Sequence, residues 1–133
     1  MAGKIVHFEI SAKDVSRAKK FYQEVFGFQY KDAQIPGMEY WLIDNGSKDQ
    51  GGGIQTAQDG KTGHLTVYFD VDDIEKAIKQ VRQLGGKAED KMPVPGEGWF
   101  ANCTDSEGNE FSLWKGDKTA SMPQTAGAGR TTA

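Results

Sequence analysis

The sequence predicts an α+β fold made of two consecutive βαβββ modules. The main observation is an internal repeat: the pattern that runs from Asp14 to Gly27 recurs, offset by 59 residues, from Asp73 to Gly86. A repeat at this period indicates two copies of one supersecondary unit. In each copy, a segment with strand periodicity precedes a helical pattern, and three short strand patterns follow it. We therefore expect one domain at residues 1–115, with module one at 4–57 and module two at 64–115.

Module one begins with a predicted strand at 5–10, where apolar and polar residues alternate. Asp14 is a suitable N-cap for the helix that follows, because its carboxylate can accept a hydrogen bond from the first helical turn. Gly27 is typical of the position just after a helix, where the backbone is left-handed. The remaining strands are separated by Pro36-Gly37 and Asn45-Gly46 turns and are predicted at 28–32, 39–43 and 52–56.

Module two repeats this order. A strand is predicted at 65–71, Asp73 is the expected N-cap of the second helix, and Gly85-Gly86 ends that helix. Three strands follow at 87–89, 99–104 and 110–114, with Pro93–Gly98 predicted as a loop. Residues 116–133 are rich in Gly, Ala, Thr and Ser, and we expect a disordered tail because they cannot bury enough apolar surface.

Composition limits the classes of function. The chain has 133 residues and a net charge of −3, which provides no basic surface for nucleic acid. Cys103 is the single cysteine, so no intrachain disulfide is possible, and we expect it to be a buried apolar residue in a reducing compartment. No stretch approaches the roughly 18 apolar residues that span a bilayer, and no apolar signal segment precedes the first strand. We expect a cytoplasmic protein without a membrane partner.

Over residues 4–115, the chain resembles the glyoxalase/bleomycin-resistance/extradiol-dioxygenase domains, the vicinal oxygen chelate superfamily. Each motif alone is common, but their joint order inside the repeat is specific. The motifs are His7-Phe8-Glu9-Ile10, Ala18-Lys19-Lys20-Phe21-Tyr22, Val25-Phe26-Gly27-Phe28, Gly51-Gly52-Gly53-Ile54, Val71-Asp72-Asp73-Ile74, Leu84-Gly85-Gly86, Asp105-Ser106-Glu107-Gly108-Asn109 and Phe111-Ser112-Leu113-Trp114.

The resemblance implies a glyoxalase-like fold, in which the two modules form a curled mixed sheet around a ligand cavity, and it implies a homodimer. Metal-dependent members carry a His/Glu or His/His/Glu ligand set on the first and last strands of each module. The matching residues here are His7, Gln55, Thr66 and Ser112. Of these, only histidine is a good ligand for a divalent metal, since amides and hydroxyls bind such ions weakly.

We therefore expect no complete metal site and no tightly held cofactor. A divalent metal bound by His7 together with Glu9 or His64 remains an open alternative.

His7 and Glu9 form the candidate catalytic pair. Strand alternation puts both on one face and puts Phe8 and Ile10 on the other, under the helix. His7 has an unperturbed pKa near neutrality and could act as a general base, while Glu9 could orient it or act as an acid. The alternative is that His7 is a polar cavity residue that forms hydrogen bonds and takes part in no reaction.

The candidate ligand-binding residues are polar or aromatic side chains on the predicted strands. Adjacent aromatic pairs, such as Tyr40 and Trp41, can place only one member on the cavity face. Core packing is the default interpretation for most aromatic residues, and one or two in the cavity would suit a flat or apolar ligand. The set is Trp41, Gln55, Thr66, Tyr68, Trp99, Ser112 and Trp114.

Two classes of function remain. The preferred hypothesis is a small-molecule-binding protein without the usual complete metal site, as the resemblance to the bleomycin-resistance branch implies. The alternative is a lyase, isomerase or dioxygenase of the superfamily that uses His7 as a metal ligand or a general base. The absence of Glu or His at Thr66 and Ser112 favours the binding protein over the metalloenzyme.

Overall fold

The computed structural model describes residues 3–48, 50–57 and 65–122. Within them, no helix is long and apolar enough to cross a membrane. His64 lies outside the described residues, as do residues 58–63 between the two predicted modules. The elements, in chain order, are β1 (Ile5–Ala12), α1 (Val15–Phe26), β2 (Gln29–Asp32), β3 (Tyr40–Asp44), β4 (Gly51–Thr56), β5 (Leu65–Asp70), α2 (Ile74–Gln83), β6 (Lys87–Ala88), β7 (Met92–Val94), β8 (Gly98–Thr104) and β9 (Glu110–Gly116).

The predicted helix ends are confirmed. The Asp14 carboxylate accepts a hydrogen bond from the Arg17 backbone N–H at 3.0 Å, and Asp73 accepts one from the Lys76 N–H at the same distance. Gly27 follows α1 with a φ of 74°, a left-handed conformation that glycine adopts without a steric penalty. The two aspartates therefore determine where both helices begin.

The chain divides into two compact units, and the first ends at Asp70. Its strands pair in the order β2-β3-β4-β1-β5, with β1 and β4 parallel and the other neighbours antiparallel. β5, which the repeat assigns to module two, belongs to this unit because it pairs with β1. One face of the sheet packs with α1 around a buried core of Ile10, Ala12, Val15, Ile43 and Ile54.

The second unit begins at Val71. β8 pairs with β9 along one side and with both β6 and β7 along the other. The apolar face of α2 packs on this sheet, which leaves the opposite sheet face to Phe100, Asn102, Ser112 and Trp114. The buried core of this unit comprises Ile74, Ile78, Ala101, Cys103 and Leu113.

Two predictions about local structure were wrong. The segment predicted as a loop contains the short strand β7, in which Pro93 pairs with Trp99; proline is tolerated there because β7 pairs only with β8 among the described strands. The chain also stays folded beyond residue 116. Ala120 is 3% exposed, and its carbonyl accepts a hydrogen bond from the Gly96 N–H at 2.9 Å. Residues 123–133 lie outside the described residues.

Cys103 is buried in the α2 core, as predicted. Burial raises the pKa of its thiol to about 11. Only about one thiol in a thousand is then the reactive thiolate at pH 8. We expect iodoacetamide to modify the native protein at least about 100-fold more slowly than the urea-unfolded protein, as measured by intact mass. Equal rates in the two states would contradict this packing.

Candidate functional site

The orientation predicted for β1 is confirmed. Phe8 and Ile10 pack with the core under α1, so His7 and Glu9 project from the opposite face. On that face His7 lies opposite Tyr68 of β5, and Glu9 lies opposite Thr66. The His7 and Tyr68 rings meet edge to face with their centres 5.2 Å apart. Adjacent strands thus bring four of the predicted site residues together.

Tyr40 links the two candidate catalytic residues. Its hydroxyl oxygen lies 2.8 Å from His7 Nε2 and donates a hydrogen bond to Glu9 Oε2 at 2.8 Å. Because that proton is directed at the carboxylate, His7 donates from Nε2 to the hydroxyl oxygen in this arrangement. The result is a continuous hydrogen-bonded chain from imidazole to phenol to carboxylate.

Glu9 has further partners. Gln55 of β4 donates from Nε2 to Glu9 Oε1 at 3.2 Å, and Tyr68 also forms a hydrogen bond to this carboxylate. The rings above it are buried, since Tyr40 is 8% exposed and Tyr68 is 7% exposed. A buried carboxylate requires several donors, and three neutral side chains provide them here. We refer to His7, Glu9, Tyr40, Gln55 and Tyr68 as the polar cluster.

Burial shifts the pKa values of His7 and Glu9 in opposite directions. It lowers the pKa of His7 below the usual 6.5, which favours the neutral imidazole. It raises the pKa of Glu9 above 4.5, and the hydrogen bonds from Tyr40 and Tyr68 offset part of that effect. The pKa of Tyr40 is also raised, first by burial and then by the Glu9 charge, so the phenol keeps its proton. An imidazole and a carboxyl with opposite pKa shifts can pass a proton through the hydroxyl between them.

Two glycines make room for this arrangement. A Cβ on Gly53 would overlap with the Tyr40 hydroxyl, and a Cβ on Gly52 would lie 2.5 Å from the Phe8 ring. Both contacts are closer than carbon atoms can approach, so each aromatic ring lies directly on the backbone of β4. The glycine run therefore permits close approach of two rings, one on each sheet face.

Comparison with known proteins identifies the family of this chain. Residues 4–113 match the family model of the Glyoxalase/Bleomycin resistance protein/Dioxygenase superfamily. The chain belongs to this superfamily. The resemblance inferred from the sequence motifs is confirmed.

Two curated proteins are similar to this chain in sequence. The protein named "Putative glyoxylase CFP32" from Mycobacterium bovis is 28% identical over 115 residues, which cover 85% of this chain and 44% of that protein. This chain thus spans less than half the length of that relative. A glyoxylase-like domain-containing protein from Didymella fabae is 30% identical over 90 residues, covering 64% of this chain and 70% of that protein.

A solved structure with the glyoxalase-superfamily fold supports the architecture. Methylmalonyl-CoA epimerase from Mycobacterium tuberculosis superposes with a TM-score of 0.65 at 14% identity, covering 86% of this chain and 88% of that one. At this identity the likeness establishes the fold alone. The predicted α+β, glyoxalase-like fold class is confirmed.

The donor set does not fit the metal site of metal-dependent glyoxalase-superfamily proteins. Among the described residues, no three His, Cys, Asp or Glu side chains come together. Both Glu9 oxygens already accept hydrogen bonds, and His7 Nε2 is directed at Tyr40. Ser112 is fully buried, and its hydroxyl donates to Asn102 Oδ1 at 2.8 Å. A metal bound through His7 Nε2 or through the Glu9 carboxylate would have to displace these hydrogen bonds.

Of the three predicted tryptophans, Trp41 belongs to the unit of the polar cluster, and the other two belong to the second unit. Trp41 packs against the core under α1, with Lys19 Nζ 3.1 Å from its ring centre, so Tyr40 rather than Trp41 faces the cluster. In the second unit, Trp99 packs on the α2 core and donates to Asp117 at 3.1 Å. Trp114 lies on the other face of that unit's sheet, where its ring covers Gly98.

Tyr40 is the site residue that the sequence analysis left out. The pair of adjacent aromatic residues showed that one of the two faces the cavity side. The three-glycine run in β4 indicates that large rings pack on that strand, but it leaves space on both sheet faces and does not distinguish Tyr40 from Trp41.

Proposed function

We propose that this glyoxalase-superfamily chain binds a small organic molecule at the polar cluster, without a tightly held metal. The observation that supports the proposal is the hydrogen-bonded chain from His7 through Tyr40 to Glu9, with both contacts at 2.8 Å. A partly buried group of hydrogen-bonding side chains on one sheet face is the usual way in which a binding site fixes the orientation of a ligand.

The charge of the cluster limits the kind of ligand. Glu9 is its single carboxylate, His7 is held towards its neutral form, and the other members are neutral. The hydrogen-bond partners given above for Glu9 are the neutral side chains of Tyr40, Gln55 and Tyr68. A ligand with an exposed carboxylate or phosphate at this position would meet Glu9 without a compensating cation. The cluster therefore favours neutral or weakly basic molecules over anions.

Proton transfer to and from the ligand is the second candidate function. The same hydrogen-bonded chain favours it, because a proton taken up by His7 can be passed through the Tyr40 hydroxyl to Glu9. In such a step a C–H bond of the substrate breaks, the proton moves to His7, and the electron pair stays on the substrate until a proton returns. A solved structure with this fold is named an epimerase, so the fold itself is compatible with this class of reaction.

A fragment screen by NMR on the ¹⁵N-labelled full chain tests the binding proposal. We expect neutral heteroaromatic fragments to shift the amide signals of His7 and Glu9, and Tyr40→Phe to weaken their binding at least about fivefold, because one hydrogen-bonding group is lost. Tyr30→Phe is the matched control. The Tyr30 hydroxyl donates to the Lys19 carbonyl at 2.8 Å on the helix side, so affinity should stay as in the unchanged protein.

The screen can also refute the proposal. If no fragment shifts the His7 or Glu9 signals at millimolar concentration, the cluster is not a binding site. Metal analysis of the purified protein provides an independent test. Stoichiometric Ni, Zn, Fe or Mn that is lost in His7→Ala would favour the metalloenzyme, whereas metal at background in both proteins supports a metal-free site.

The homodimer that the resemblance implies stays a prediction. Analytical ultracentrifugation of the full chain would test it, with a sedimenting mass of about twice the 14.6 kDa protomer as the expected result.

A further inference from the structure

Among the described residues, the hydrogen bonds of the polar cluster leave one ring nitrogen of His7 without a partner. His7 Nε2 lies 2.8 Å from the Tyr40 hydroxyl oxygen, whereas Nδ1 forms no hydrogen bond to the described part of the chain. In residues 3–48, 50–57 and 65–122, no buried side-chain nitrogen or oxygen lacks a hydrogen-bond partner. Nδ1 is therefore not enclosed by the protein, and a ligand can reach it.

The direction of the hydrogen bonds in the cluster is set at Glu9. A carboxylate can only accept, so both the Tyr40 hydroxyl and the Gln55 amide donate to it. The single proton of the Tyr40 hydroxyl is used in that bond, and its oxygen accepts from His7 Nε2. The neutral imidazole predominates at pH 7.5, because burial lowers the pKa of His7 below 6.5. A neutral imidazole carries one proton, so Nδ1 has none and presents a lone pair.

We propose that Tyr40 and Glu9 hold His7 in the tautomer that is protonated at Nε2, so that Nδ1 accepts a hydrogen bond from an N–H or O–H group of the ligand. The inference rests on the proposed function and extends it by naming the ligand class, a neutral molecule with a hydrogen-bond donor. Tyr40 and Glu9 act here as positioning residues, because they work through His7. A ligand that offers only an acceptor would place its lone pair against that of Nδ1 and would bind more weakly.

The same tautomer identifies the proton acceptor in the second candidate function. A proton taken from a substrate C–H bond would go to His7 Nδ1, and the electron pair of that bond would stay on the substrate. The Nε2 proton can then pass to the Tyr40 oxygen while the Tyr40 proton passes to Glu9 Oε2. His7 and Tyr40 each take up one proton and give up one, and Glu9 ends protonated.

Glu9→Gln is the substitution that should reverse the direction of these hydrogen bonds. Glutamine keeps the shape of the side chain but carries N–H donors as well as an oxygen. With that oxygen accepting from the Gln55 amide, the new amide nitrogen faces the Tyr40 oxygen and donates to it. The Tyr40 proton then turns to His7 Nε2, the imidazole proton moves to Nδ1, and the atom that meets the ligand becomes a donor. Glu107→Gln, on the exposed turn between β8 and β9, is the matched control.

Long-range ¹H–¹⁵N correlation spectra of the ¹⁵N-labelled full chain at pH 7.5 report which ring nitrogen carries the proton. The chain has two histidines, so the substitution His64→Gln in every sample leaves only the ring signals of His7. We expect a protonated Nε2 and an unprotonated Nδ1 when Glu9 is present, also with Glu107→Gln, and the reverse in Glu9→Gln. Protonation at Nδ1 with Glu9 present, or a Glu9→Gln spectrum with the same tautomer, would overturn the proposal.

Indole and benzofuran provide the ligand test, because their ring systems have nearly the same shape and only indole has an N–H donor. In NMR titrations of the unchanged protein, followed at the amides of residues 7 and 9, we expect indole to bind at least about threefold more tightly, since one hydrogen bond distinguishes the probes. Glu9→Gln should reduce this ratio to less than about 1.5-fold, whereas Glu107→Gln should retain it. Thermal unfolding of each variant shows that it is folded.

The outcomes separate this inference from the proposed function. If both probes shift the amides of residues 7 and 9 in a manner sensitive to Tyr40→Phe but bind equally well, the donor preference is refuted and the binding function is retained. If neither these probes nor other fragments shift the polar cluster, the proposed function fails and the donor preference fails with it. The tautomer measurement requires no ligand, so it tests the positioning role of Tyr40 and Glu9 in either case.

Discussion

Gly53→Ala is expected to lower the free energy of unfolding by about 3–5 kcal/mol. The added methyl group would overlap with the Tyr40 hydroxyl, so the ring must move away and leave both of its hydrogen-bond partners. Overpacking in a core costs about 1–3 kcal/mol, and each lost hydrogen bond to a buried group adds about 1 kcal/mol. Urea denaturation at 25 °C measures the change.

Gly51→Ala is the control within the same strand. Its Cβ would make an ordinary contact with the Ile43 carbonyl oxygen at 3.7 Å, so stability should change by less than about 0.5 kcal/mol. Gly52→Ala should also destabilise the protein, because its methyl group would overlap with the Phe8 ring on the sheet face that packs under α1. Equal stability of the Gly51 and Gly53 variants would show that Tyr40 does not lie on Gly53.

The free energy of unfolding of Glu9→Gln, compared with that of the unchanged protein, is expected to increase as the pH rises from 4 to 7.5. The folded-state pKa of Glu9 is raised above the ordinary value of 4.5, chiefly by burial. A folded carboxyl with a raised pKa contributes stability that is fully present below 4.5 and lost as the pH rises through the folded pKa. Glutamine carries no charge at any pH, so that loss should disappear.

The contribution of His7 to stability changes with pH in the opposite direction. Burial lowers its folded-state pKa below 6.5, so its contribution is present above pH 6.5 and lost as the pH falls through the folded pKa. His7→Ala should therefore reduce the loss of stability on acidification. Urea denaturation at pH 4, 5.5 and 7.5 separates the two groups, because their contributions change in opposite directions.

Glu107→Gln is the matched control for the carboxylate. Glu107 lies exposed on the turn between β8 and β9, and the same substitution there should keep the pH profile of the unchanged protein. If Glu9→Gln and Glu107→Gln showed the same profile, Glu9 would not be a buried carboxylate. A profile for Glu9→Gln that falls more steeply with rising pH would contradict the sign of its pKa shift.

Much of the local structure follows from the sequence because its causes are local. Asp14 and Asp73 begin the two helices because an aspartate at that position can accept a hydrogen bond from a helical N–H three residues later. The alternation in β1 determines that His7 and Glu9 share a face, since successive side chains of a strand point in opposite directions. Neither result requires knowledge of what else packs nearby.

The candidate site was only partly predictable because it depends on strand register. Tyr40 and Trp41 are adjacent aromatic residues. The alternation of strand side chains therefore allows either of them to face the helix. Pairing of β3 with β4 sets Tyr40 opposite Gln55 and Trp41 opposite Ile54, which places the phenol by the cluster and the indole in the core. Register is a long-range property, and a shift of one residue would have exchanged the two rings.

The sequence by itself determined the repeat, the helix limits, the superfamily and the placement of His7 and Glu9 on one face. The tertiary structure decided that Tyr40 joins them, that Gly53 makes room for its ring, and that β5 completes the cluster with Tyr68. These contacts connect residues more than 30 positions apart. They exist only because four strands pair in one register, which no local pattern encodes.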